Sequence, residues 1–369
     1  MKIAFVHHNL EVGHGTNTLV WQYAEGLGKK DHVVDIYTLV GEDHHLGADS
    51  LFDVRVTKLP FGNGRLNTSI FAPLYKPFWQ VREELESYDV VISMIYPSCL
   101  LPVWPEKLKH PKVIHIEWST PDGVWSNLGE RLYSKLAIAM QGITCIRADE
   151  VLVPGDFVKK WVLDYYGIDA KQMYLDGIDF HQFDISKVTN RYNTKNILYV
   201  GRVVPYKNLE DLINAVALIK DATLTIVGNN TAFPSYTKKL YKLCHKLGLE
   251  SGRVRFAGVV PDAELTSYYA ACQVYCSPSR WEGFLKSFAY AYAKPMVSYD
   301  LTSARDIIQD GITGKVVKNP DPAELAYELS ELLNQPNYCK SLGENGYQWA
   351  KENLDIDKIV DNLEALIKC

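Results

Sequence analysis

With 369 residues the chain is too long for one typical hydrophobic core and is expected to form two domains. Hydrophobic residues make up 47% and charged residues 22%, which excludes a disordered or fibrous chain. The net charge of −5 argues against a general nucleic-acid binder, and no apolar run reaches the length of a membrane-spanning helix.

The first half alternates strands and helices. Ile3-Ala4-Phe5-Val6 is a continuous apolar run, as a strand buried on both faces of a parallel sheet requires. The strand is expected over Lys2–His7, and no cleavable signal is expected ahead of it. The Gly13-His14-Gly15 loop leads into a helix over Asn17–Gly28, with Leu19, Val20, Tyr23, Ala24 and Leu27 on its apolar side. A glycine loop there can reach phosphate or sugar through its backbone, or form a tight turn only. Strands follow at Val33–Thr38, Val54–Val56, Asp89–Ser93, Val113–Glu117 and Glu150–Pro154, with helices at Leu132–Ile143 and Phe157–Tyr166. Leu59–Glu86 is aromatic and partly basic. It suits an interfacial segment, although Pro73 and Pro77 interrupt it and a core-packing helix fits better. His115 and Glu117 are expected to face opposite sides of their strand, with Glu117 a polar or basic group near an acceptor hydroxyl.

Lys171–Asn196 breaks the rhythm, and a second α/β series follows. Strands are expected at Asn196–Val200, Ala222–Val227 and Val254–Ala257. Helices are expected at Leu209–Ile219, capped by Asn208, at Ser235–Lys246, and from a cap at Asp262 to Ala271. Two doubly wound domains facing a cleft are the expected architecture, with ligands beyond the carboxyl ends of strands. Seven cysteines, an odd number with no CxxC pair, point to reduced thiols in a reducing compartment. A cytoplasmic location is therefore expected, with surface attachment to a membrane left open.

Two stretches carry chemistry. Gly201-Arg202-Val203-Val204-Pro205-Tyr206-Lys207-Asn208 follows a strand and brings two cations to one loop, which suits a diphosphate. Gln273–Cys276 is a strand, followed by a Ser/Pro loop, Glu282-Gly283, and an Ala/Tyr-rich helix from Phe284 that ends before Pro295. A helix N-terminus after a small-residue loop favours an anion. Phosphates would repel Glu282, so its carboxylate should point at hydroxyls. A phosphate site beside a hydroxyl acceptor suits a sugar nucleotide.

In their order and spacing these pieces resemble the GT-B-fold retaining glycosyltransferases of family 4, over nearly the whole chain. The resemblance rests on Gly13-His14-Gly15, Asp176-Gly177-Ile178-Asp179, Gly201-Arg202…Lys207, Leu224–Gly228, Val254–Gly258 with Pro261-Asp262, and Ser277-Pro278-Ser279…Glu282-Gly283-Phe284. It implies two Rossmann-like domains, an acceptor-side domain at 1–183 and a nucleotide-sugar domain at 184–348, with 349–369 crossing back to the first. It implies a UDP- or GDP-linked donor sugar, a glycan or lipid-linked acceptor, and chemistry without a metal or other cofactor. Arg202 and Lys207 would hold the donor diphosphate, and Glu282 would contact the transferred sugar. Gly13, Gly15, Gly201, Gly228, Gly283, Phe284 and Leu285 would line the donor site. His115 or Glu117 falls near a histidine of many relatives. One departure stands out: where the family places a second, ribose-gripping glutamate, this chain has Tyr290, or Phe288 if two residues are deleted after Phe284. Lys286 and Ser287 at the helix start offer partial replacement. A catalytically silent member that binds a glycan or partners an active transferase, and an epimerase or phosphorylase on the same fold, are the alternatives.

Overall fold

The computed structural model describes the chain except residues 9, 11–14, 40–51, 57–72, 75, 120–127, 182–184, 186–190 and 250–251. In chain order the elements are β1 (Lys2–Val6), α1 (Gly15–Gly28), β2 (Val33–Thr38), β3 (Phe52–Val56), α2 (Lys76–Leu85), β4 (Val90–Ser93), β5 (Lys112–Ile116), α3 (Leu128–Arg147), β6 (Glu150–Val153), α4 (Asp156–Tyr166) and β7 (Lys171–Gln172). They continue with β8 (Asn196–Val200), α5 (Leu209–Leu218), β9 (Thr223–Val227), α6 (Pro234–Lys246), β10 (Val254–Gly258), α7 (Asp262–Ala271), β11 (Val274–Ser277), α8 (Phe288–Ala291), β12 (Met296–Tyr299), α9 (Ala304–Ile307), β13 (Gly314–Val317), α10 (Pro322–Asn334), α11 (Pro336–Asn353) and α12 (Ile356–Lys368).

Two compact units result. One comprises Met1–Asp122, Asn127–Gly177 and Ile356–Cys369, and the other is built on Ile178–Asp355. These divisions stand against the boundaries expected after 183 and 348. The return segment begins later because α11 runs unbroken to Asn353, and Leu354 N still donates to Ala350 O at 2.7 Å.

The first unit is a seven-stranded parallel sheet of order β3-β2-β1-β4-β5-β6-β7. Ile3, Ala4, Phe5 and Val6 are all at most 1% exposed, because helices cover both faces of β1. All five apolar residues expected on α1 are buried. The C-terminal helix α12 closes this core with Ile359, Val360, Leu363 and Ile367. At Gly26 of α1 a Cβ would lie 2.6 Å from Val360 Cγ2, so the close approach of α1 and α12 needs glycine. Much of the aromatic segment Leu59–Glu86 lies outside the described residues. Its described helix is α2, with Pro77 as second residue, so this proline starts a helix rather than interrupting one.

The second unit is a six-stranded parallel sheet of order β10-β9-β8-β11-β12-β13. Its chain order reverses between β8 and β11, which pair in parallel. The crevice beyond their carboxyl ends is the place such sheets reserve for ligands. Two helix starts differ from expectation. Asn208 precedes α5 in a left-handed conformation (φ 56°) and makes no side-chain cap. Its amide donates instead to Asp211 Oδ2 at 2.7 Å. At α7 the cap position belongs to Pro261, and Asp262 is already helical.

Candidate functional site

β8 and β11 are neighbours, so the loops leaving them meet. After β8, Gly201 N donates to Val227 O and Val203 N to Asn229 O, each at 2.9 Å, turning the chain across the end of β9. This crossing is tight. A Cβ on Gly228, whose φ is 132°, would sit 2.0 Å from Gly201 O, so backbone occupies the space a side chain needs. A short 3₁₀ turn over Pro205–Lys207 then presents Lys207. From the other side, Arg280 N donates to Tyr206 O at 2.8 Å and stitches the loop after β11 to this turn.

Two of the three residues expected to act together, Lys207 and Glu282, are in direct contact, and Arg202 is held on the neighbouring Tyr206. Lys207 Nζ pairs with Glu282 Oε1, and the two side chains keep 16% and 15% exposure. Ser279 Oγ donates to the same oxygen at 2.7 Å, and Glu282 N donates to Thr302 Oγ1 at 3.1 Å. Exposed Arg202 donates to Tyr206 Oη at 2.7 Å, while Tyr199 Oη fixes the Arg202 carbonyl at 2.9 Å. The Glu282 carboxylate thus takes both a cation, Lys207, and a hydroxyl, Ser279 Oγ, on one oxygen. Burial first, with the Glu282 field adding to it, pushes the Tyr199 and Tyr275 hydroxyls up, so both stay protonated.

The helix expected from Phe284 is not formed. α8 is a single turn, Phe288–Ala291, with Ser287 in its cap position. The turn closes through three-residue steps, Tyr290 N to Ser287 O and Ala293 N to Tyr290 O, and Ala293 at φ 50° stops it. One turn builds no useful macrodipole, so helix-dipole stabilisation of an anion drops out of the site. What remains is extended backbone: among the described residues, the amides of Gly283, Phe284 and Leu285 find no protein acceptor. Phe284, Leu285 and Ser287 are buried, and Lys286 is part-exposed.

Tyr290, which stands where the second glutamate was expected, is core. It is 0% exposed, and its hydroxyl donates to Thr313 Oγ1 at 2.8 Å. A Cβ on Gly346 would lie 2.4 Å from its ring, and Trp349 packs edge-on against it. Phe288 is part-buried.

His115 and Glu117 belong to the first unit, and there the expectation of opposite faces fails. Residues two apart in a strand share a face, and His115 Nε2 meets Glu117 Oε2 at 3.2 Å with both side chains fully buried. Ser93 Oγ lies 3.1 Å from His115 Nδ1. Glu117 also accepts from Ser119 N at 2.8 Å and from Gln141 Nε2, 2.8 Å from each oxygen. Cys145 Sγ approaches it at 3.9 Å; burial and then the carboxylate field push that thiol up, so it stays protonated. Among the described residues, His115, Glu117 and Cys145 form the set whose donor atoms lie close enough for one cation, within 4.8 Å of one another. The hydrogen bonds already saturate the carboxylate, so this set has the chemistry of a closed network. Gly13 lies outside the described residues, and Gly15 is the first residue of α1.

Sequence reasoning missed Tyr206, Ser279 and Thr302, which hold Arg202 and Glu282. Tyr206 and Ser279 stand inside the two motif loops, and that position was the available signal. Thr302 belongs to the loop after β12, and no local pattern marks it.

This geometry can be set beside known proteins. The model for glycosyl transferases group 1 matches residues 181–349, and that for glycosyltransferase family 4 matches residues 13–175. The chain belongs to glycosyltransferase family 4. Within the family, it is 23% identical over 301 residues to an uncharacterized glycosyltransferase of Methanocaldococcus jannaschii, covering 76% of this chain and 77% of that protein. It is 30% identical over 178 residues to the alpha-D-kanosaminyltransferase of Streptomyces kanamyceticus, covering 47% and 45%. Among solved structures, sucrose-phosphate synthase from Thermosynechococcus elongatus superposes with a TM-score of 0.85 at 20% identity, covering 100% and 98%. Anabaena HepE in complex with UDP and glucose gives 0.78 at 19%, covering 100% and 99%. The two parallel sheets of this family 4 chain are those of the GT-B fold.

Proposed function

We propose that this glycosyltransferase moves a hexose from a UDP- or GDP-linked donor to a glycan or lipid-linked acceptor, retaining the anomeric configuration. The observation that carries the reading is the Lys207–Glu282 pair at the switch point of the second sheet, with Arg202 in the same loop as Lys207 and held by Tyr206. The donor diphosphate lies against Arg202 and Lys207, and the amides of Gly283, Phe284 and Leu285 supply neutral donors. As the acceptor oxygen bonds to the anomeric carbon, the bond from that carbon to the β-phosphate oxygen breaks. Negative charge then grows on the leaving diphosphate, where the two cations stabilise it. The acceptor proton passes to the departing phosphate oxygen. Glu282, released from Lys207 by the incoming phosphate, accepts from hydroxyls of the transferred sugar. The complex of HepE with UDP and glucose supports uridine as the first base to test.

The burial of Tyr290 favours a second reading. No carboxylate replaces the ribose grip there, which suits a silent member that binds a glycan or partners an active transferase. A donor-hydrolysis screen across UDP- and GDP-linked hexoses, with product anomers read by NMR, tests the first reading. Turnover of one donor with a retained anomer is expected. Calorimetry showing no binding of any nucleoside diphosphate would establish the silent reading instead.

A further inference from the structure

The outer face of α3 is apolar where a lone helix on a soluble unit should be polar. Leu128, Leu132, Leu136 and Ile146 are 70%, 60%, 42% and 67% exposed, and Ala139 is exposed between them. With part-exposed Ile143 they recur at spacings of four and three. At about 100° per residue they fall in a sector roughly 80° wide that runs for about 27 Å. The opposite face, through Ala137, Gln141, Thr144 and Cys145, is buried in the unit's own core. Beside the stripe lies a groove of about 390 Å³ between α3 and α4, lined by Ala139, Gly142, Ile143, Ile146, Tyr165 and Tyr166. Exposed Tyr165 extends the apolar surface onto α4.

We infer that this face pairs with the same face of a second copy, α3 against α3 in antiparallel order about a two-fold axis at Ala139. Three features select that occupant. The stripe has the narrow width and the four-and-three spacing of a helix–helix seam, whereas a helix lying in a bilayer carries a wider apolar sector. An axis at Ala139 sets Leu132 opposite Ile146 and Leu136 opposite Gly142, so large residues meet small ones or the groove. The charges are arranged for antiparallel order. Arg131 and Lys135 flank the N-terminal half and make no ion pair among the described residues, nor does Glu150, just past the C-terminal end. Antiparallel pairing about Ala139 moves the two copies of Arg131 apart and brings each toward Glu150 and the negative end of the facing helix, level with Arg147, whose guanidinium is already held by Val103 O and Pro105 O. Parallel pairing would stack Arg131 on Arg131. A seam of this length belongs to the smaller, reversible class of interface, so dimers are expected at micromolar concentration.

Sedimentation equilibrium of the full chain is expected to show a dimer of the 41.8 kDa protomer. Leu132→Glu with Leu136→Glu should weaken it at least about 100-fold, with the far-ultraviolet circular dichroism unchanged because both positions face solvent in the protomer. Arg131→Glu should weaken association, and adding Glu150→Arg should restore it. In a Cys369→Ser background, Ala139→Cys should form a homodisulfide under copper phenanthroline. Leu128→Cys should not, since the axis holds its two copies about 33 Å apart. A wild-type chain that stays monomeric at about 100 μM overturns the inference. So does equal cross-linking at both positions, the mark of a parallel pair. Flotation of a monomer with anionic vesicles, lost in the double leucine variant, would assign the face to a bilayer and overturn it as well.

Discussion

Replacing Lys207 with alanine separates two roles that the structure superimposes on one ammonium. Lys207 holds Glu282 in the structure, and in the proposed reaction it stabilises the departing diphosphate. The side-chain exposures of 16% and 15% put the pair in a half-desolvated setting, where an effective dielectric near 20 applies. An ammonium about 4 Å from a phosphate charge then contributes about 4 kcal/mol in total. Only the part that grows as the glycosidic bond breaks enters turnover. One third of the total, about 1.4 kcal/mol, already lowers kcat tenfold. Lys207→Ala is therefore expected to reduce kcat at least about tenfold with the matched UDP- or GDP-sugar. The check is a double-mutant cycle with Glu282→Gln, scored on steady-state kcat and on kcat/KM for the donor. If Lys207 serves the leaving group, the tenfold loss persists in the Glu282→Gln background. A loss that vanishes there means that Lys207 only positions Glu282. A kcat for Lys207→Ala within about twofold of wild type refutes the role altogether.

Three further outcomes follow from the packing. Gly228→Ala puts a Cβ 2.0 Å from Gly201 O at a φ of 132°, so urea denaturation should show a loss of at least about 2 kcal/mol, and donor affinity should fall as the Arg202 loop shifts. Tyr290→Glu, which places a carboxylate at the position of the second family glutamate, buries a charge between Thr313, Gly346 and Trp349. It should cost at least about 3 kcal/mol in the same assay and leave nucleotide affinity, read by calorimetry, no better than wild type. Lys294 is fully buried, with Nζ on Arg191 O at 3.0 Å and over the Tyr192 ring, and burial lowers its pKa from 10.5 to about 8. Between pH 8 and 10.5 the unfolded chain holds the proton that the folded chain has lost, so this residue's contribution to stability rises with pH across that window. The unfolding free energy of wild type should accordingly gain on that of Lys294→Met as pH climbs from 8 to 10, by up to roughly 3 kcal/mol; a pH-independent difference would contradict the shift.

Much of the fold was legible because its strands are buried on both faces. β2 and β8 begin and end where expected, because a parallel strand under two helix layers is mostly apolar, and the one charge inside β2, Asp35, is taken up by the Tyr88 hydroxyl. Local pattern failed where tertiary contacts decide. Phe284–Ala293 is Ala-rich and has helical spacing, yet Tyr290 is anchored on Thr313 and packed against Gly346 and Trp349, and the segment forms one turn only. Asn208 is a good cap by composition, but its left-handed backbone turns the side chain to Asp211. The three charged site residues were legible because each sits in a loop directly after a strand. Their contact was not, since Lys207 and Glu282 are 75 positions apart and only the adjacency of β8 and β11 joins them.

That adjacency also explains why a carboxylate belongs in the proposed diphosphate site. Two uncompensated cations at the end of one crevice would repel each other and depress the stability of the unliganded unit. Glu282 neutralises Lys207, and Tyr206 gives Arg202 a neutral acceptor, so the unliganded site carries about one net positive charge. A diphosphate brings about two negative charges; it satisfies Arg202 and competes with Glu282 for Lys207. A ligand with one phosphate has less charge with which to displace the carboxylate. Hexose phosphates should therefore bind more weakly than nucleoside diphosphates by more than the loss of the base accounts for, and Glu282→Gln should narrow that gap. Calorimetry of UDP, UMP and glucose 1-phosphate against both proteins measures it. An equal UDP-to-UMP affinity ratio in the two would show that Glu282 plays no part in selecting the diphosphate.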